Sequence, residues 1–244
     1  MTAIAFETLG LTKSFGRKTA LDGLYMSFEE GLLHGIVGPN GAGKTTLMRL
    51  VTGLLKPSDG RVLFRQADAA LSQEDVRPLL AYQPQRDHLY ADLSVGEHLA
   101  FFRDLYGLPR PLYKERRDRL LSITRLEPFV DRLAGQLSGG MYKKLGLICA
   151  LLQGPALLLL DEPTTGVDPI SRREFWDLLH GIVETGEVTI VMSTSYMDEA
   201  ERCSRIHLID AGRMLLEGEP HEVMADQKVY SLDEIFLSHE EGRK

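Results

Sequence analysis

An α/β fold with a mainly parallel sheet follows from three observations. Residues 32–37, Leu-Leu-His-Gly-Ile-Val, read as a strand that runs into a glycine-rich loop and then into a helix. Residues 157–160 are four leucines in a row, as expected of a strand buried on both faces. From there strand-like and helix-like segments alternate, with strands over 157–160, 188–192 and 205–209 and helices starting near Pro169 and Asp198. Such alternation places helices on both faces of a parallel sheet.

The N-terminal part reads differently. Strand-like alternation dominates residues 4–37, with turns expected at Gly10, Gly16 and Gly31, and it resumes over 60–64. An antiparallel β lobe is the expectation here. Residues 93–134 change character again: Arg and aromatic residues increase, and apolar positions fall at 3–4 spacing, as in Tyr113-Lys114-Glu115-Arg116-Arg117-Asp118-Arg119-Leu120-Leu121. This predicts an all-helical insertion. With no low-complexity linker and no internal repeat, one unit over 1–244 is expected, with a core of about 1–92 and 135–244 and a helical lobe of about 93–134.

Chemistry enters at Gly38-Pro39-Asn40-Gly41-Ala42-Gly43-Lys44-Thr45-Thr46, a full match to the phosphate-loop pattern. Its glycines let successive backbone N–H groups converge on phosphate oxygens, Lys44 adds a point charge, and the Thr45 hydroxyl can ligate Mg²⁺. A strand before it and a helix from about Thr46 supply the expected context. No dinucleotide fingerprint can be drawn through Gly38, Gly41 and Gly43, so a nucleoside triphosphate site is the reading.

Two further stretches belong with the loop. The leucine strand ends in Asp161-Glu162, placed to hold Mg²⁺ through water and to polarise an attacking water. Upstream, Leu137-Ser138-Gly139-Gly140-Met141 can open a helix, where free N–H groups, a hydroxyl and the helix dipole form an anion site. That site has no phosphate-gripping lysine of its own.

Phosphate loop, Leu-Ser-Gly-Gly-Met and Leu-Leu-Asp-Glu-Pro, in that order and spacing, resemble the ATP-binding subunit of an ABC transporter, over essentially the whole chain from Leu11. The Asp-Glu-Pro-Thr-Thr-Gly-Val-Asp-Pro stretch and Leu232-Asp233-Glu234-Ile235-Phe236-Leu237 are similar to subunits serving ABC-2-type, drug-export-like permeases. The nearest likeness is the first ATPase half of fused tandem exporters. The resemblance implies a phosphate-loop NTPase core, ATP and Mg²⁺ as ligands, and a sandwich of two ATPase domains in which Ser138, Gly139 and Gly140 complete the partner's ATP site. It further implies that Phe15 stacks on adenine, that Asp168 lines the seam between subunits, and that Gln85 touches Mg²⁺ or water. Gln83 competes for that last role, but Gln85 directly follows Pro84, as the family glutamine does. Phe15 read as an isolated aromatic suits a core position equally, and Asp168 before Pro169 suits a helix N-cap.

Composition narrows the partners. The 244 residues are 43% hydrophobic, enough for a sizeable core, and the net charge of −7 argues against nucleic acid. Cys149 and Cys203 lack metal spacing and read as buried thiols. No leader-like segment and no apolar run long enough to cross a bilayer is visible, so a membrane role would be borrowed from an integral membrane permease. A peripheral place on the cytoplasmic face of the membrane is expected. Aromatic residues from Asp87-His88-Leu89-Tyr90 through Phe101-Phe102-Arg103-Asp104-Leu105-Tyr106 mostly suit packing of the helical lobe, while exposed ones would suit docking of a permease helix.

Two positions depart from the family pattern. Met141 replaces the common glutamine, a mild change. Ser195 sits where the family carries a histidine that contacts the γ-phosphate, and a serine lacks the imidazole's reach and its capacity for charge. The expectation is an impaired site on this chain, hence pairing with a different ATPase subunit. A binding-only regulatory subunit and a soluble ABC ATPase outside transport are the alternatives. The latter lacks support, because neither a charged linker nor a long coiled-coil insertion is present.

Overall fold

The computed structural model describes residues 2–85 and 89–241. Asp87 and His88 of the aromatic segment therefore lie outside the described residues. In chain order, β1 (Ala5–Phe15) and β2 (Lys18–Phe28) form a hairpin, followed by β3 (Leu33–Val37) and α1 (Lys44–Val51). Next come β4 (Asp59–Gln66), β5 (Ala69–Leu71), the single-turn α2 (Gln73–Val76) and β6 (Leu80–Gln83). The helices α3 (Val95–Tyr106), α4 (Arg110–Thr124) and α5 (Gly139–Leu151) then lead to β7 (Leu157–Asp161). The chain continues through α6 (Pro169–Val183), β8 (Thr189–Thr194), the one-turn α7 (Met197–Ala200), β9 (Arg205–Asp210), β10 (Arg213–Gly218), α8 (Pro220–Gln227) and α9 (Leu232–Glu241).

Two sheets result. The first has the order β2-β1-β4-β5 and is antiparallel throughout. The second has the order β10-β9-β3-β8-β7-β6, parallel except for the edge strand β10. Alternate leucines of β7 enter different cores. Leu158 and Leu160 pack with α3–α6, while Leu157 and Leu159 join Phe6, Phe28, Phe64 and α1 between the two sheets. Each such leucine contributes about 1.5–3 kcal/mol on full burial, so this central strand anchors both layers.

The structure corrects several sequence expectations. Gly10 is no turn: it lies inside β1, at φ +60° and at a register shift against β2 between Thr8 and Leu11. Strand alternation continues on both sides of it, so the extra residue is absorbed as a bulge. α1 begins at Lys44, two residues earlier than read, because Gly43 at φ +110° caps it. β5, β6 and β10 were not legible; they are short or at sheet edges, where burial does not enforce a two-residue period.

Candidate nucleotide site

The carboxyl ends of β3, β7 and β8 converge on the phosphate loop. Two glycines there are required by space. A Cβ on Gly38 would lie 2.1 Å from the Ile209 carbonyl oxygen, and one on Gly43 would lie 2.8 Å from that of Ala20. The loop therefore packs its backbone directly against neighbouring strands. Lys44, 4% exposed, donates to the carbonyls of Gly38 at 2.7 Å and Pro39 at 3.2 Å. Its ammonium also pairs with Glu162 Oε1 at 3.2 Å.

The acid pair is held by side chains from other strands. Asp161 Oδ1 accepts from Ser193 Oγ at 2.7 Å and from Thr45 Oγ1 at 3.1 Å, and Oδ2 accepts from the Tyr82 hydroxyl at 3.2 Å. Burial and the neighbouring Asp161 push the Tyr82 phenol up to about 12, so it remains a donor. Glu162 adopts φ +46°, a left-handed backbone that strains a non-glycine residue. Its N–H donates to Ser193 Oγ at 2.9 Å, and its Oε2 accepts from Gln85 Nε2 at 2.7 Å and Thr165 Oγ1 at 3.3 Å. A glutamate strained at the backbone and held at both ends is aimed rather than mobile. Thr45 and Asp161 are in hydrogen-bond contact, and with Gln85 they carry oxygens of the hard kind that would suit Mg²⁺.

A cleft of about 500 Å³ opens over these groups, lined by Phe15, Asn40, Gly41, Gly43, Lys44, Thr45, Thr46, Gln85 and Glu162 together with Lys18, Thr19, Ala20 and Ala211. Phe15 is about half exposed at its rim, with Lys13 Nζ 5.2 Å from the ring centroid. That leaves a ring face at the cleft rather than in the core. Gly38, Pro39, Ala42 and Asp161 are not among the residues lining the cleft. Gln83 does not line the cleft: it is buried, and neither amide atom has a hydrogen-bond partner.

The remaining sequence candidates lie apart from the cleft. Ser138 caps α5, its hydroxyl accepting from Met141 N at 3.3 Å, and Gly139 and Gly140 form the first turn. Gly139 shares a separate surface with Leu137, Thr165, Gly166 and Val167. Gly140 has a packing reason of its own, because a Cβ there would lie 2.4 Å from Ser171 Cβ on α6. Gly139 has ordinary room, its nearest neighbour being the Gly166 oxygen at 3.7 Å. Asp168 caps α6, accepting from Ile170 N at 3.1 Å and Ser171 N at 3.0 Å, and the Ser171 contacts hold its carboxyl below the usual range. Ser195 follows β8, is half-buried, and is not among the residues lining the cleft or the surface around Gly139.

Sequence reasoning missed Ser193, Tyr82 and His98. The first two are the direct supports of the acid pair. His98 is fully buried; its Nε2 accepts from Tyr90 N at 3.0 Å while Nδ1 donates to Ser94 O at 2.9 Å, which fixes the loop carrying Tyr90. No local motif marks any of the three.

A phosphate loop after one parallel strand, and an acid pair ending a second strand with β8 between them, define a nucleotide-hydrolysing protein of the phosphate-loop class. The family model described as ABC transporter matches residues 21–165. The chain is 37% identical over 237 residues to the Nod factor export ATP-binding protein I of a Rhizobium species, covering 97% of this chain and 78% of that protein. It is 46% identical over 213 residues to the probable multidrug ABC transporter ATP-binding protein YbhF of Escherichia coli, covering 86% of this chain but only 37% of that protein. Among solved structures, cbiO1 of Clostridium perfringens, part of the ABC transporter complex cbiONQ, superposes with a TM-score of 0.80 at 28% identity over 91% of each chain. The chain belongs to the ABC transporter family, as an ATP-binding ATPase cassette.

Proposed function

We propose that this chain binds and hydrolyses ATP to drive export through a separate membrane permease, and that it does so as the impaired half of a heterodimer. One observation supports the dimeric reading: the cleft over Lys44 and Glu162 and the surface lined by Gly139 have no lining residue in common, which leaves the second open to a partner's nucleotide. Phe15 takes the adenine, the phosphate-loop N–H groups and Lys44 take the phosphates, and Glu162 orients the attacking water. Thr45, Asp161 and Gln85 would hold Mg²⁺, whose charge neutralises phosphate oxygens. A second subunit supplies the facing Ser-Gly-Gly, and Asp168 lies along the seam. Closure moves the helical lobe, about 93–134, against the core, about 1–92 and 135–244. The names of the Nod factor and multidrug relatives favour export and, with it, a peripheral place on the cytoplasmic membrane face. Among the described residues, no helix is long and apolar enough to cross a membrane.

Ser195 supports the asymmetry. Its hydroxyl is shorter than imidazole and carries no cation, so this chain's own site loses a γ-phosphate contact. A binding-only regulatory subunit is the second reading that Ser195 favours. The test is turnover by the purified chain alone and by the assembled transporter. Alone, the chain turns over well below about 10 s⁻¹, the middle of the enzyme range. In the assembly, Glu162→Gln costs much less than the same change in the partner. Gly139→Asp abolishes turnover by placing a carboxylate on the anion surface without the Ser171 clash that Gly140 would bring. Rapid hydrolysis by the isolated chain, or equal losses from the two glutamate changes, overturns the asymmetric reading.

A further inference from the structure

Behind the site lies a buried carboxylate that the phosphate chemistry does not use. Glu199, on α7, is fully buried. Its Oε1 accepts from Thr164 Oγ1 at 2.6 Å, and its Oε2 accepts from Thr194 Oγ1 at 2.7 Å. Thr194 Oγ1 in turn accepts from the backbone N–H of Tyr196 at 3.0 Å. A continuous chain of hydrogen bonds thus runs from Tyr196 N–H through Thr194 and Glu199 to Thr164. Arg172 of α6 stands beside it, with Nε 3.7 Å from Glu199 Oε1, Nη1 3.5 Å from Asp198 Oδ2 and its guanidinium 4.9 Å from the Tyr196 ring centroid.

The two segments joined here are the ones that matter to hydrolysis. Thr164 lies two residues after Glu162 and four before Asp168, and Thr194 and Tyr196 flank Ser195. Burying a carboxylate is costly unless its oxygens are met, and an apolar residue of similar size would fill the space as well. What the carboxylate adds is direction: two hydroxyls must point at two oxygens of one planar group, which sets the spacing between their backbones.

We infer that Glu199 is a positioning residue that clamps the segment carrying Ser195 to the segment running from Glu162 to Asp168, so that the two move as one body. The inference rests on the proposed roles of Ser195 and Asp168. Because the clamp holds both this chain's acid pair and its seam, hydrolysis falls on breaking it whichever subunit's site turns over.

The test uses Thr164→Val, which keeps the shape and removes the hydroxyl, and Thr164→Ser, which keeps the hydroxyl. Hydrogen exchange is followed residue by residue in the full chain, and ATP hydrolysis in the assembled transporter. The Tyr196 amide, on the far side of the clamp from the substitution, exchanges about tenfold faster in the valine variant, while β3 and β9 amides are unchanged. In the same variant kcat falls about tenfold and KM for ATP stays within about twofold. The serine variant restores both. Unchanged Tyr196 exchange, a rise shared equally by β3 and β9, an unchanged kcat, or failure of serine to restore what valine loses would each overturn the clamp. None of these readouts depends on which of the two subunits is impaired, so the heterodimer reading stands or falls separately.

Discussion

Ser193→Ala should damage both stability and turnover, and the structure sets the size of each effect. The Ser193 hydroxyl is fully buried and serves two groups, donating to Asp161 Oδ1 at 2.7 Å and accepting from Glu162 N at 2.9 Å. Removing it leaves the Glu162 N–H unpaired in the interior, a cost of about 1–3 kcal/mol. The bond to the Asp161 carboxylate is also lost, although Thr45 Oγ1 at 3.1 Å still serves that oxygen. Together these give about 2–4 kcal/mol. For a chain of this size each kcal/mol lowers the thermal midpoint by about 2–4 °C, so a fall of about 5–15 °C is expected. Turnover suffers for a separate reason. Glu162 is held at φ +46°, a conformation that costs on the order of 1–3 kcal/mol and persists only where its surroundings enforce it. Without the hydroxyl that backbone relaxes and the carboxylate moves off its aim, costing about tenfold to a hundredfold in kcat. ATP affinity, which depends on the phosphate loop, stays near that of the unsubstituted chain. The assays are thermal denaturation, steady-state hydrolysis and nucleotide titration of the same preparation. A midpoint within about 1 °C of the original with unchanged kcat would refute the bridging role.

Three other outcomes are expected. Lys44→Ala removes the ammonium that meets the phosphates, about 1.5–3 kcal/mol, and weakens ATP binding by about tenfold to 150-fold in calorimetry; undiminished affinity would remove the phosphate-loop assignment. Tyr90→Glu and Phe101→Glu change side chains that are 57% and 41% exposed and in edge contact with each other. They should release a co-isolated integral membrane protein without shifting the thermal midpoint, and retention of that protein would rule out docking there. The last concerns pH: His34 Nδ1 meets His207 Nε2 at 3.2 Å in full burial, and desolvation holds His207 low and His34 at about 3. The unfolded chain takes up those protons near the ordinary value of about 6.5, so stability is full above that pH and is lost as pH falls from there towards about 3. Each histidine contributes a slope of up to about 1.4 kcal/mol per pH unit, and His34→Gln should flatten the fall in midpoint between about pH 6.5 and 5.

Legibility followed distance along the chain. The phosphate loop, the leucine strand and Asp161-Glu162 were readable because each is a contiguous stretch whose spacing states its use. The helical stretch after β6 and the parallel order of the later strands came from periodicity, which is also local. Gly10 was misread because a glycine in alternating sequence marks a turn or a bulge equally well, and only pairing with β2 decides. Gly140 looked like an anion contact alone until α6 was seen packed on it. The supports of the acid pair were invisible: Tyr82 and Ser193 lie on strands flanking β7, and nothing within either segment names Asp161 as its partner.

By itself the sequence determined which stretches carry chemistry-bearing residues: a phosphate-loop pattern with its lysine, two adjacent acids, a Ser-Gly-Gly before a helix, and a serine where the family resemblance leads one to expect a histidine. These are properties of residue type and local spacing, and folding does not alter them. Tertiary structure alone decided the aim. It placed Lys44 on Glu162, forced Glu162 into a left-handed backbone, tied Thr164 to Thr194 through Glu199, and left Gly139 out of the lining of the cleft. The physical reason is that hydrogen bonds and ion pairs depend on separations of a few ångströms, and between residues remote in sequence only the packed sheet and helices set those separations.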